Sequence, residues 1–127
     1  MFSEAVLDHF HRPRNPGAPE GANREGTAGV PGDGPYMRIW LTMEGETIVR
    51  AGFETYGCPA AIACGSLLTM LAAGRGRAAA LAVTSRDLAL VLGGLPEGKE
   101  HCADLATEAL RDALESGFER GGAAGEK

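Results

Sequence analysis

Two cysteines, Cys58 and Cys102, carry the chemistry that this sequence can do. Cys58 stands in Thr55-Tyr56-Gly57-Cys58-Pro59-Ala60-Ala61, where an alternating, strand-like run gives way to a long apolar helical run. Cys102 stands in His101-Cys102-Ala103-Asp104-Leu105-Ala106, at the start of the last helical segment. Both thiols are thus expected at helix N-termini, where unpaired N–H groups and the helix dipole lower a thiol's pKa. A thiolate is the form that binds metals and accepts sulfur. With the adjacent imidazole of His101, the set suits a soft metal. The bland reading is that both are core residues, because free cysteine is among the most buried residue types.

The elements that must position these residues follow from pattern. Ser3 caps a first helix over 4–12, with Val6, Leu7 and Phe10 on its apolar face, and Pro13 ends it. Residues 13–35 hold five of the seven prolines. They read as a long loop with a short strand near 27–30. A strand over 36–43, a turn at 44–46 and a returning strand over 47–56 make a hairpin. Tyr36, Met37, Trp40, Met43 and Phe53 read as its core. Pro59 suits the first position of a helix running to about residue 73. Two short helices follow, near 77–82 and 86–92, the second capped by Ser85 and closed by Gly93-Gly94. A final helix starts at His101 and runs to about residue 119, and residues 121–127 form a disordered tail. Strands first and helices afterwards predict an α+β domain over 1–120, with about three antiparallel strands against about five helices.

Bulk properties narrow the function. The chain of 127 residues, 44% apolar, is the size of one domain. Its net charge of −5 argues against nucleic-acid binding. No apolar run approaches the ~18 residues of a membrane span. Met1-Phe2-Ser3-Glu4-Ala5 lacks the basic start of a signal peptide, so the cytoplasm is the expected compartment. Three cysteines are too few for a disulfide scaffold, and metal or reactive roles fit better.

Three motifs in order resemble those of the U-type iron–sulfur cluster scaffolds, the IscU-like proteins and the N-terminal domain of NifU. They are Ser3-Glu4-Ala5-Val6-Leu7-Asp8-His9-Phe10 with Pro13-Arg14-Asn15; Phe53-Glu54-Thr55-Tyr56-Gly57-Cys58 with Ala61-Ile62-Ala63; and Leu92-Gly93-Gly94-Leu95-Pro96 with Lys99 and His101-Cys102. The resemblance implies a carrier and not an enzyme. Such a carrier takes sulfur from a cysteine desulfurase, assembles a [2Fe–2S] cluster, binds zinc in the same site, and hands its cluster to apo-proteins. It implies Cys102 as the sulfur acceptor and mobile loops over the site, which the Gly/Pro content of 29–35 fits.

The first ligand motif departs from the family's pattern. Aligning Gly29, Pro31 and Met37 puts Asp33 where the family has its first cysteine, and Pro35 where it has an aspartate. The expected ligands are therefore Asp33, Cys58, His101 and Cys102, a set suited to zinc and less so to an iron–sulfur cluster, which prefers thiolate. Glu97-Gly98 replaces a Pro–aliphatic pair, which argues against recognition by the family's Hsp70-type chaperone. Cys64 lies six residues past Cys58, about 120° round the helix, and reads as core. Two rivals remain. One is a degenerate paralogue acting as a zinc-binding or regulatory interaction module. The other is a Cys–His hydrolase or transferase using Cys58 with His101, since neighbours in one helical turn diverge and leave His101 badly placed to activate Cys102.

Overall fold

Alternation along residues 36–56 decides where the core lies. In a computed structural model, which describes residues 2–115, strands β1 (Arg24–Gly29), β2 (Tyr36–Glu44) and β3 (Thr47–Tyr56) form one antiparallel sheet in the order β1-β2-β3. Met37, Ile39 and Leu41 point to one face and are buried. Helices α1 (Glu4–His11), α2 (Pro59–Ala72), α3 (Arg77–Leu81), α4 (Ser85–Val91) and α5 (Glu100–Glu115) complete the chain. α5 packs on β1 and β2, α2 on β3 and on α5, α1 on α2, and α4 on α5. The expected α+β class, three strands and five helices are all present. The tail at 121–127 and the expected end of the last helix lie outside the described residues.

Several local expectations change. β1 begins three residues earlier than expected and ends at Gly29, whose φ of 81° suits only glycine without strain. The second short helix is capped by Thr84 and not Ser85. The Thr84 hydroxyl accepts from Asp87 N–H, and the Asp87 carboxylate accepts from Thr84 N–H. Tyr36 and Trp40 share the parity of Arg38, so they lie on the outer face of the sheet, with the Arg38 guanidinium over both rings at 5.6 and 5.9 Å. Arg38 also pairs with Glu25 and Glu54. Met43 is buried as expected, on the same parity as Met37, Ile39 and Leu41, and a register shift at Thr42/Met43 sets the buried Ile48 of β3 opposite it.

Absent side chains let the layers approach. A Cβ on Gly26 would lie 2.2 Å from the backbone N of Ala113 and 2.4 Å from the Ala109 carbonyl. α5 therefore rests on the bare backbone of β1, and the Asp112 carboxylate accepts from Thr27 N–H at 2.9 Å. A Cβ on Gly65 would lie 2.5 Å from the Phe53 ring, so α2 seats on β3 in the same way. Gly26→Ala has only backbone to push against. The expected loss is about 3 kcal/mol, the upper end of overpacking costs, measured by urea denaturation; a loss below about 1 kcal/mol would refute the direct contact.

α1 is tethered by a buried histidine. His9 Nδ1 is 2.7 Å from Ser66 Oγ, which also accepts from Arg14 N–H at 2.8 Å. With Arg14 N–H on one lone pair, the Ser66 hydroxyl is free to donate its own proton to Nδ1 of a neutral His9. Burial, with Arg14 beside it, lowers the His9 pKa from its usual 6.5, while Asp8 raises it. A depressed histidine binds its proton more readily unfolded than folded. Its stabilisation is complete above pH 6.5 and is lost as pH falls through the folded pKa. Between about pH 7 and about pH 5, stability should fall more steeply for the wild type than for His9→Gln; parallel curves would show that His9 does not titrate with folding.

Candidate metal and sulfur site

Cys58 is the N-cap of α2, with extended backbone (φ −83°, ψ 176°), and Pro59 follows at the first helical position. Cys102 is the third residue of α5, and its N–H donates to the Lys99 carbonyl at 3.0 Å. Because α2 and α5 pack on each other and on one face of the sheet, their first turns meet. Cys58 Sγ and Cys102 Sγ are 3.8 Å apart. Both thiols thus occupy helix N-termini, as the sequence implies.

The two sulfurs differ in environment. Burial raises the Cys58 pKa, but the backbone N–H groups of Ala61 and Ala60, the Cys102 thiol and the Lys99 charge together hold it below its ordinary value. Cys102 is pushed up to about 12 by burial, then by the negative charge and hydrogen bond of Cys58, with Lys99 opposing. The first proton of the pair therefore leaves Cys58. Cys58 is also the half-buried one, whereas Cys102 is 1% exposed. The more accessible thiol is therefore not Cys102, the implied sulfur acceptor, but Cys58. Cys102 does start a helix, but it is buried in the core with Cys58 against its sulfur.

The other expected residues are placed as follows. His101 Nε2 lies 3.8 Å from Cys102 Sγ, so the ring folds back to its neighbour, contrary to the expected divergence. Asp33 sits in the exposed β1–β2 connection, its N–H donating to the Val30 carbonyl, between Gly32 (φ 89°) and Gly34 (φ 99°). Tyr36 pairs with Tyr56 across β2 and β3, so Asp33 and Cys58 leave the sheet at the same end. An open depression of about 420 Å³ there is lined by Gly32, Gly34, Tyr36, Thr55 and Tyr56. Cys64 is fully buried, and its thiol is pushed up to about 12, first by burial. Lys99 was legible only as part of a motif; its charge acts on both thiols. A cation three residues before a helix-starting cysteine was the available signal.

A tetrahedral metal with bonds of about 2.3 Å separates two sulfur ligands by about 3.8 Å, which is the spacing of Cys58 and Cys102. Among the described residues, no group of three or more His, Cys, Asp or Glu stands close enough to hold a metal ion. The arrangement fits two ligands of a metal and does not fit a closed four-ligand zinc centre. It can present a thiolate pair to a cargo from one open side. No helix among the described residues is long and apolar enough to cross a membrane.

Comparison with known proteins identifies the family. The chain is 43% identical over 122 residues to the iron–sulfur cluster assembly scaffold protein IscU 1 of Archaeoglobus fulgidus, covering 96% of this chain and 80% of that one. It is 42% identical over 115 residues to the iron–sulfur cluster assembly scaffold protein IscU of Aquifex aeolicus, covering 89% and 73%. It is 43% identical over 115 residues to the nitrogen fixation protein NifU of Azotobacter chroococcum, covering 89% of this chain and 37% of that longer protein. A solved structure of a putative SUF-system scaffold from Fervidobacterium islandicum shares the fold, with a TM-score of 0.71 at 18% identity over 90% of this chain and 96% of that one. Residues 1–122 match the family described as the NifU-like N terminal domain, and the chain belongs to that family.

Proposed function

We propose that the chain is a scaffold for iron–sulfur cluster assembly, holding a nascent cluster as cargo on Cys58 and Cys102 before passing it on. The observation that carries this reading is the 3.8 Å sulfur pair at two helix N-termini on the open end of the sheet. The names of the relatives support it. Cys58, half-buried and the first of the pair to ionise, is the better first acceptor of sulfur than Cys102. The sulfur donor is a cysteine desulfurase, and apo iron–sulfur proteins receive the product. The role is that of a carrier in the cytoplasm and not of an enzyme.

His101, already beside Cys102, is the third ligand of the proposed set. Asp33 is the fourth, brought in when the connection between Gly32 and Gly34 folds over the depression it borders. Zinc takes the same thiolate pair when iron is absent. Three features suit release over storage: two thiolates, one hard carboxylate, and a loop that must move.

Two experiments test the reading. Anaerobic reconstitution with iron and sulfide should give visible absorption from one cluster. Cys58→Ala and Cys102→Ala should each abolish it, while Cys64→Ala retains it. Cluster formation that survives both substitutions would place the cargo elsewhere, whereas zinc without any cluster would favour the interaction-module reading. Asp33→Cys should lengthen the cluster's lifetime in air several-fold, because a thiolate is a softer and stronger ligand for iron than a carboxylate. An unchanged lifetime would mean that residue 33 does not reach the metal.

A further inference from the structure

The spacing that suits two metal ligands also suits an electron-donating pair. Cys58 Sγ and Cys102 Sγ, 3.8 Å apart, need only approach to about 2.05 Å to form a disulfide. The Cys58 side chain makes no capping hydrogen bond, while the first-turn amides of Ala60 and Ala61 favour its thiolate. The two thiols differ in reach: Cys58 is half-buried and Cys102 is 1% exposed. A sulfur donor therefore meets Cys58 first, and Cys102 can reach only what Cys58 carries. Cys64 is fully buried and takes no part. An outer nucleophile with an inner thiol in contact is the arrangement of attacking and resolving cysteines in thiol exchange.

We propose that Cys58 and Cys102 reduce an incoming sulfane sulfur to sulfide, using their own two thiols as the source of electrons. This rests on the scaffold reading, which supplies a persulfide donor and a use for sulfide. In the first step the Cys58 thiolate attacks the outer sulfur of the donor persulfide. A bond forms from Cys58 Sγ to that sulfur, the donor's S–S bond breaks, and the donor leaves as a thiolate. In the second step the Cys102 sulfur attacks Cys58 Sγ. The Sγ–Sγ bond forms, the bond to the outer sulfur breaks, hydrosulfide leaves, and the Cys102 proton passes to solvent. Two thiols are oxidised to one disulfide while one sulfane sulfur is reduced by two electrons to sulfide. A dithiol reductant then reopens the pair. Sulfur reduction and cargo binding alternate on the same two atoms.

The test uses the full chain, reduced and metal-free under argon, with one equivalent of an alkyl hydropersulfide and no iron or desulfurase. Samples are quenched with an alkylating reagent and analysed by intact mass and peptide mapping. The wild type should end with the Cys58 and Cys102 peptides joined, two hydrogens lost, and sulfide released in equal amount. Cys102→Ala should stop with one sulfur gained on Cys58 and no matching sulfide. Cys58→Ala should take up no sulfur, and Cys64→Ala should behave as wild type. A persulfide that persists on the wild type, a disulfide involving Cys64, or equal sulfide from Cys102→Ala would overturn the proposal. Reconstitution of the same preparation with iron and sulfide reports on the scaffold reading separately, since that assay needs no reduction of sulfane sulfur.

Discussion

The meeting of two helix N-termini over one end of the sheet is the constraint on which the site depends. It is fixed by packing far from the sulfurs. α5 can lie on β1 only because Gly26 has no Cβ, and α2 can lie on β3 only because Gly65 leaves room for the Phe53 ring. Ala109 and Ala113 on α5, and Ala60, Ala61 and Ala63 on α2, keep the helices close to the sheet and to each other. Small residues thus do for the layers what large ones do elsewhere in a core: they set distance. A helix displaced by a methyl group along either contact would carry its cysteine with it.

Holding two sulfurs 3.8 Å apart also decides how they ionise. Two full charges about 4 Å apart repel by about 4 kcal/mol at an effective dielectric of 20. The site resolves this by asymmetry. Amides of the first turn of α2 and the Lys99 charge favour the thiolate at Cys58, while burial and the Cys58 charge keep the Cys102 proton in place. A divalent cation removes the repulsion and releases the second proton. One resting thiolate beside one thiol is what both the proposed metal site and the proposed sulfur exchange require.

Sequence pattern carried most of the frame and only part of the site. Period-two and helical runs located all three strands and five helices, because each is bounded by glycine or proline. Aromatic character alone points Tyr36 and Trp40 to the core, whereas the parity of Met37, Ile39 and Leu41 assigns the inner face and leaves both rings outside. The pairing of Cys58 with Cys102 was legible only through motif resemblance, since 44 residues separate them and no local pattern encodes the α2–α5 contact. Burial of Cys102 was not legible at all, because it depends on which neighbouring turn covers the helix start. The Ser66 tie to His9 and Arg14 was equally hidden, being a contact between two helices with no charge pattern to announce it.

Asp33 shows how a single ligand position and the rest of the site constrain each other. A cysteine there would add a third nucleophile on a glycine-flanked turn, and a thiol able to reach Cys58 would compete with Cys102 for any sulfur bound there. An aspartate cannot form or break an S–S bond, so the sulfur exchange available at this end of the sheet is confined to the fixed pair. As the proposed fourth ligand, the same carboxylate would hold iron more weakly than a thiolate and release the cargo more easily. Under the proposed function, an aspartate at this position trades cluster lifetime for a single, defined route of thiol chemistry. That trade is workable only because the packing at Gly26 and Gly65 holds the remaining two sulfurs in contact.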